Sequence, residues 1–163
     1  MPFRLRFLLA GILLAACFAA CSPNHQTGET CSDYTPPPTF DAKAPAVSFK
    51  NDVMPIFKGS CAFTACHGLQ GSNNGVYLGD DIDAVHESLF NRRSAELPTM
   101  PFVTAGDPNA SYLQKKIDGS QCILDAQCVD RTCGLPMPKD DDMLPIQMRD
   151  TIRRWIAQGA KND

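Results

Sequence analysis

The chain has 163 residues and a formal net charge of −3 at pH 7, with eight cysteines and only three histidines. This length allows one domain and little more, and a mildly acidic chain lacks the basic footprint of a nucleic-acid-binding protein. Eight cysteines in so short a chain indicate an oxidising compartment or a cofactor site, and argue against a reducing cytosol.

The N-terminus has the pattern of an export signal. Arg4 and Arg6 precede an unbroken apolar run at residues 7–14, and small residues then lead into cysteine. The run is too short to span a membrane, and it resembles a bacterial lipoprotein signal in which a small residue precedes an acylated cysteine. Cys17 and Cys21 both fit. Acylation of Cys21 leaves an even number of later cysteines, which favours Cys21; an ordinary cleaved signal without lipid is the alternative.

The composition divides the chain into three parts. Residues 1–20 are predicted to be the lipoprotein signal peptide, and residues 21–45 are rich in Pro, Thr, Ser and Asp. Such a composition cannot bury a core, so this stretch is predicted to be an extended tether, in which Cys31 is positioned to staple it to the body. Residues 46–163 are then the folded domain.

Apolar spacing in the domain predicts four helices, and no run alternates as a half-buried strand does. The segments are residues 49–57 (beginning near Asp52 or kinked at Pro55), residues 82–90, residues 109–117 and residues 145–158. In the last helix, Met148, Ile152, Trp155 and Ile156 form the predicted buried face, and Arg149, Arg153 and Arg154 lie off it. The fold class is therefore all-α, with irregular stretches between helices long enough to indicate a large buried cofactor.

The segment from Cys61 to His67 contains the residues that indicate a cofactor site. Its pattern is C-x4-C-H, a variant of the C-x2-C-H motif in which two thiols bond covalently to a haem and the following histidine ligates its iron. The alternatives are a Cys61–Cys66 disulfide beside an idle histidine, and a zinc site, for which the chain lacks further histidines and paired C-x2-C motifs.

The residues on both sides of this motif also resemble those of a known family. Residues 47–57, then the motif and Gly68, are similar to the opening of small class I cytochrome c domains of exported bacterial lipoproteins of the myxobacterial type. Residues 103–113 resemble the middle helix of that family. Met137-Pro138, Ile152, Trp155-Ile156 and Gly159-Ala160 resemble its methionine loop and final helix. The resemblance covers almost the whole domain.

The resemblance implies a class I cytochrome c-like helical domain with long loops wrapped around one covalent haem c. Cys61 and Cys66 then form the thioethers, and His67 is the proximal iron ligand. Met137 is the expected distal ligand because the family places a methionine just before the last helix. Met100 is the rival, and His86 a third candidate. An apolar pocket is expected from Phe57, Phe63, Leu113, Ile152 and Trp155.

Four cysteines remain for disulfides, namely Cys31, Cys122, Cys128 and Cys133. They allow three pairings, among which the sequence does not choose. We expect a mono-haem electron carrier, not an enzyme, anchored by lipid to a membrane facing the periplasm or cell surface, with a redox protein as donor or acceptor. The alternatives are a disulfide-stapled lipoprotein that binds a partner and holds no haem, and a five-coordinate haem enzyme or gas sensor.

Overall fold

The structure is a computed structural model, and it describes residues 31–163 except residues 33, 72 and 91. Over these residues the chain is rich in helix and has no β-strand, only an isolated bridge between Arg93 and Pro101. The helix-rich, strand-free class predicted from the sequence is confirmed at this level. The predicted signal peptide, Cys17, Cys21 and the first part of the predicted tether lie outside the described residues.

The first helix begins earlier than its proline suggests. A π-helical turn at Phe49–Val53 leads directly into helix α1, Met54–Ser60, and the Ser48 hydroxyl caps the turn by accepting the N–H of Asn51 at 3.1 Å. Pro55 lies in the first turn of α1, where a missing N–H costs little. The helical segment therefore starts at Phe49 and changes from π to α at the proline.

Helix α2 spans Ile82–Phe90, as the apolar spacing predicts. Helix α3 spans only Tyr112–Ile117, three residues shorter at its start than expected. The Asp107 carboxylate accepts the backbone N–H groups of Asn109 and Ala110 at 2.9 and 3.1 Å and closes a separate turn there. The end of α3 is as predicted, because Gly119 follows it with a left-handed φ of 68°.

Helix α4 spans Ile146–Ala157, and its buried face is wider than the apolar pattern predicts. Met148, expected to be buried, is 38% exposed. Arg149 and Arg153, expected to lie off the buried face, are buried because both form ion pairs with the buried Asp118, at 3.3 and 2.5 Å. Burial of an arginine requires such a partner, and the partner lies just beyond α3, where apolar spacing gives no signal.

We call the described residues of the range 31–45 the strap, and from Tyr34 onward they pack along α4. The Tyr34 hydroxyl donates to Asp150 at 3.1 Å, and its ring lies 4.8 Å from the guanidinium of Arg149. Further along, the side-chain amide of Gln158 donates to the carbonyls of Ala42 and Pro45. The second half of the sequence that resembles a tether is thus part of the folded body.

An aromatic cluster joins α1, α2 and α4. Phe49 stacks on Trp155 with ring centroids 4.8 Å apart, and His86 stacks on Phe90 at 4.4 Å. Phe49 also meets the ring of Phe57 edge-on. This cluster fixes the end of α1 at which the cysteine and histidine motif begins.

Candidate cofactor site

A cavity of about 540 Å³ opens beside the C-terminal end of α1. This volume lies in the range of pockets that bind small molecules and cofactors. Four of the residues singled out in the sequence line it together: Cys61, Cys66, His67 and Met137. The structure therefore gathers on one cavity four side chains that are separated by up to 76 positions in the chain.

The loop between the two cysteines folds back on itself. The N–H of Cys61 still donates to Phe57 of α1, and the N–H of His67 donates to the Cys61 carbonyl at 3.1 Å. The backbone of the histidine thus lies against that of the first cysteine despite the two extra residues. Gly68 completes the loop, and a Cβ there would collide with the backbone carbonyl of Ala62. Glycine is required at this position by the close approach of two backbone segments.

The His67 imidazole is oriented by a backbone carbonyl. Its Nδ1 donates to the carbonyl oxygen of Val76 at 3.1 Å, which leaves the lone pair on Nε2. Burial lowers the pKa of His67, the Val76 hydrogen bond opposes that shift, and the charge of Lys116 adds to it. The net result is a neutral imidazole of one tautomer, the form that binds a metal.

The two thiols of the motif differ in exposure. Cys61 is half-buried against the core, whereas Cys66 is exposed at the cavity rim. Burial, and secondly the proximity of Cys66, raises the pKa of Cys61 to about 12, so Cys61 stays a neutral thiol at pH 7. Neither residue belongs to a disulfide in the structure.

The three candidates for a distal ligand lie in different places. Met137 is half-buried and lines the cavity, and its N–H donates to the Lys116 carbonyl at 2.9 Å. Met100 packs against the core but does not line the cavity. The Nε2 of His86 is 2.9 Å from the Ala160 carbonyl, within the aromatic cluster. Of the three, the structure brings only Met137 to the same cavity as His67.

Phe57, Phe63 and Leu113 of the expected apolar pocket line the cavity, whereas Ile152 and Trp155 belong to the core behind it. Sequence reasoning missed a polar part of the wall formed by Glu96, Tyr112 and Lys116. Burial is the main cause that raises the pKa of Tyr112, followed by its hydrogen bond to Glu96, so this side chain stays a neutral donor. Because these side chains come from separate segments and belong to no motif, their meeting has no local signal in the sequence.

Two disulfides involve the segment that precedes Met137 in the chain. Cys31 pairs with Cys122 and Cys128 with Cys133, with Cα–Cα distances of 5.7 and 5.4 Å. The Cys133 carbonyl accepts hydrogen bonds from the side chains of Tyr112 and Lys116, at 3.1 and 2.9 Å. The second bridge therefore lies one contact away from the cavity wall. All four cysteines predicted to form disulfides do so.

Among the residues that the structure describes, no group of three or more His, Cys, Asp or Glu side chains could hold a metal ion. Within the same residues, no helix has the length and apolar character needed to cross a membrane. No family model, no curated protein and no solved structure matches the chain.

Proposed function

We propose that this protein is an exported, lipid-anchored mono-haem c-type cytochrome that transfers electrons. The observation that carries the proposal is that Cys61, Cys66, His67 and Met137, predicted to bind haem from the sequence, line one cavity. Two thiols followed directly by a histidine are what covalent haem attachment requires, and a methionine in the same cavity would supply a second protein ligand to the iron.

The residues present fit this cofactor. The Cys61 and Cys66 thiols, five residues apart and on the same cavity, suit the two thioether bonds, and His67 presents its free lone pair on Nε2. Met137 is held by its backbone contact with Lys116, so its soft thioether is presented from a restrained loop. When bound, the haem supplies a one-electron iron couple; the chain supplies the ligands, the orientation and the apolar wall that excludes water.

Electron transfer suits this site better than catalysis. If His67 and Met137 both bind the iron as proposed, these two side chains would leave no coordination position for a substrate. Phe57 and Leu113 exclude water on the inner side of the cavity, while Phe63 at the rim is exposed. A site buried on one side and accessible at its edge can exchange electrons with a redox protein without binding a substrate.

The arrangement of helices supports the finer proposal of a class I cytochrome c-like domain. Helix α1 runs directly into the cysteine and histidine motif, and the Met137 loop precedes α4. Helix α4 packs on the π-helical turn that leads into α1, through the stacked rings of Trp155 and Phe49. We propose that long loops wrap the haem between these two helices.

The first test is covalent haem attachment. The full-length chain, produced in a host with periplasmic haem-attachment machinery, should run as a haem-staining band after denaturing electrophoresis and gain the mass of one haem. A variant with Cys61→Ala and Cys66→Ala should lose both signals. A colourless, unmodified product from that host would defeat the proposal and favour the haem-free, disulfide-stapled binding module.

The proposed lipid anchor has its own test. Cys21→Ser should abolish incorporation of a labelled fatty acid and release the protein from membranes, while Cys17→Ser should leave both unchanged. Loss of labelling only in Cys17→Ser would assign the acylation to Cys17. No labelling of the unmodified chain would indicate an ordinary cleaved signal without lipid.

A further inference from the structure

The polar part of the cavity wall is organised around one buried lysine. The Nζ atom of Lys116 lies 3.0 Å from a Glu96 carboxylate oxygen and 2.9 Å from the Cys133 carbonyl, and its side chain is only 8% exposed. The backbone carbonyl of the same residue accepts the N–H of Met137. Lys116 thus carries a buried positive charge in the wall of the cavity, and its backbone holds the loop of the proposed distal ligand.

Glu96 supplies the opposite charge on the same wall. Its Oε2 atom accepts hydrogen bonds from both Lys116 and the Tyr112 hydroxyl, the latter at 2.6 Å. Removing two charges from water is costly, and an apolar side chain of similar length would fill the position of Lys116 without that cost. The Lys116–Glu96 pair therefore contributes little net stability to the fold. Its main effect is on the electrostatic potential inside the cavity.

Lys116 and Glu96 line the same cavity as Cys61, Cys66 and His67, so their charges act on any group that is bound there. A ferric haem carries one positive charge more than a ferrous haem. A nearby cation therefore disfavours the ferric state and raises the reduction potential, and a nearby carboxylate lowers it.

We infer that Lys116 and Glu96 set the reduction potential of the bound haem in opposite directions, Lys116 raising it and Glu96 lowering it. This inference rests on the proposed haem function. The redox step is the gain of one electron by iron(III), supplied by an external reduced redox protein, and no bond or proton changes partner in it. Because the two charges nearly cancel, the potential depends on the balance of the pair.

The test is a spectroscopic redox titration of the haem-loaded protein at pH 8. Lys116→Met should shift the equilibrium towards the oxidised form by about tenfold, which for a one-electron couple is a potential lower by about 59 mV. Glu96→Gln should shift it by a similar factor in the other direction. The double variant, which has neither charge, should return close to the original potential.

Two variants serve as matched controls. Lys115→Met removes the same charge from the neighbouring position of α3, which does not line the cavity, and should leave the potential nearly unchanged. Lys116→Arg keeps the charge and should keep the potential. The melting temperature of the haem-free chain, measured in parallel, reports the structural cost of each change separately from the potential.

Single variants that shift the potential in the same direction, or by no more than Lys115→Met does, would overturn the inference. If Lys116→Met fails to fold, the Glu96→Gln variant tests the inference by itself, because it leaves the backbone contact between Lys116 and Met137 in place. A higher reduction potential in Glu96→Gln supports the inference, and a lower one overturns it. Failure of haem attachment in the unmodified chain is a different result, and it removes the proposed function itself.

Discussion

Replacing Asp118 by asparagine would remove the charge that two buried arginines share. Asp118 is 6% exposed in its side chain and lies 3.3 Å from Arg149 and 2.5 Å from Arg153. Breaking a buried pair by removing one partner costs about 3–5 kcal/mol. Arg153 keeps its contact with Asp150, and Arg149 keeps its hydrogen bond to the Leu144 carbonyl. We therefore expect Asp118→Asn to lower the free energy of unfolding by about 3 kcal/mol, the lower end of this range.

For a chain of this size, that loss lowers the melting temperature by about 12 °C. Thermal unfolding followed by circular dichroism, together with urea denaturation, should show the shift with an unchanged dependence on urea. The control is Asp80→Asn, which breaks the Lys58 ion pair at a carboxylate 93% exposed and should change the melting temperature by less than about 4 °C. An Asp118→Asn protein that melts within about 2 °C of the original would refute the reasoning.

Three further predictions concern the cavity. Gly68→Ala should prevent the motif loop from closing and sharply reduce haem attachment, measured by haem stain, whereas Gly59→Ala in α1 meets no neighbouring atom and should be tolerated. Met137→Leu should abolish the low-spin ferric spectrum of the haem-loaded protein and Met100→Leu should not; unchanged spectra in both would remove methionine ligation. Because burial lowers the pKa of His67, the unfolded chain binds its proton more tightly, and the haem-free protein should lose stability as pH falls below about 6.5. His67→Gln should weaken that dependence in urea titrations, and an identical dependence in both proteins would contradict the assignment.

Where apolar periodicity alone decides an element, the sequence predicts it well. Helix α2 lies where Val85 and Leu89 recur one turn apart, and α4 ends before Gly159 as predicted. Periodicity fails for Arg149 and Arg153, because their burial depends on a single carboxylate from another segment. Spacing rules describe the hydrophobic surface of one helix and contain nothing about ion pairs made across the fold.

The candidate site likewise contains residues that the sequence predicts and residues that it does not. The motif residues from Cys61 to His67 are contiguous, so their chemistry can be predicted from the sequence, and the position of Met137 just before the last helix, where the resembled family places its ligand, favours it over Met100. The carbonyl of Val76 that orients His67, and the position of Glu96 opposite Lys116, arise from tertiary packing. The disulfide pairing is equally nonlocal, since Cys31 reaches a partner 91 residues away.

Under the proposed lipid anchoring, the attachment of the strap would limit how far the domain can stand from a membrane. Its disulfide ties Cys31 to Cys122, and the N–H of Ser32 donates to the Gly119 carbonyl at 3.0 Å. With a fatty acid on Cys21, only nine residues would lie between the anchor and this attachment point, a reach of at most about 35 Å; a free tether up to residue 46 would reach about 90 Å. If Cys21 is acylated as proposed, this short connection would hold the domain, and the haem proposed for its cavity, within that shorter distance of the bilayer surface, which would favour electron exchange with proteins at that membrane.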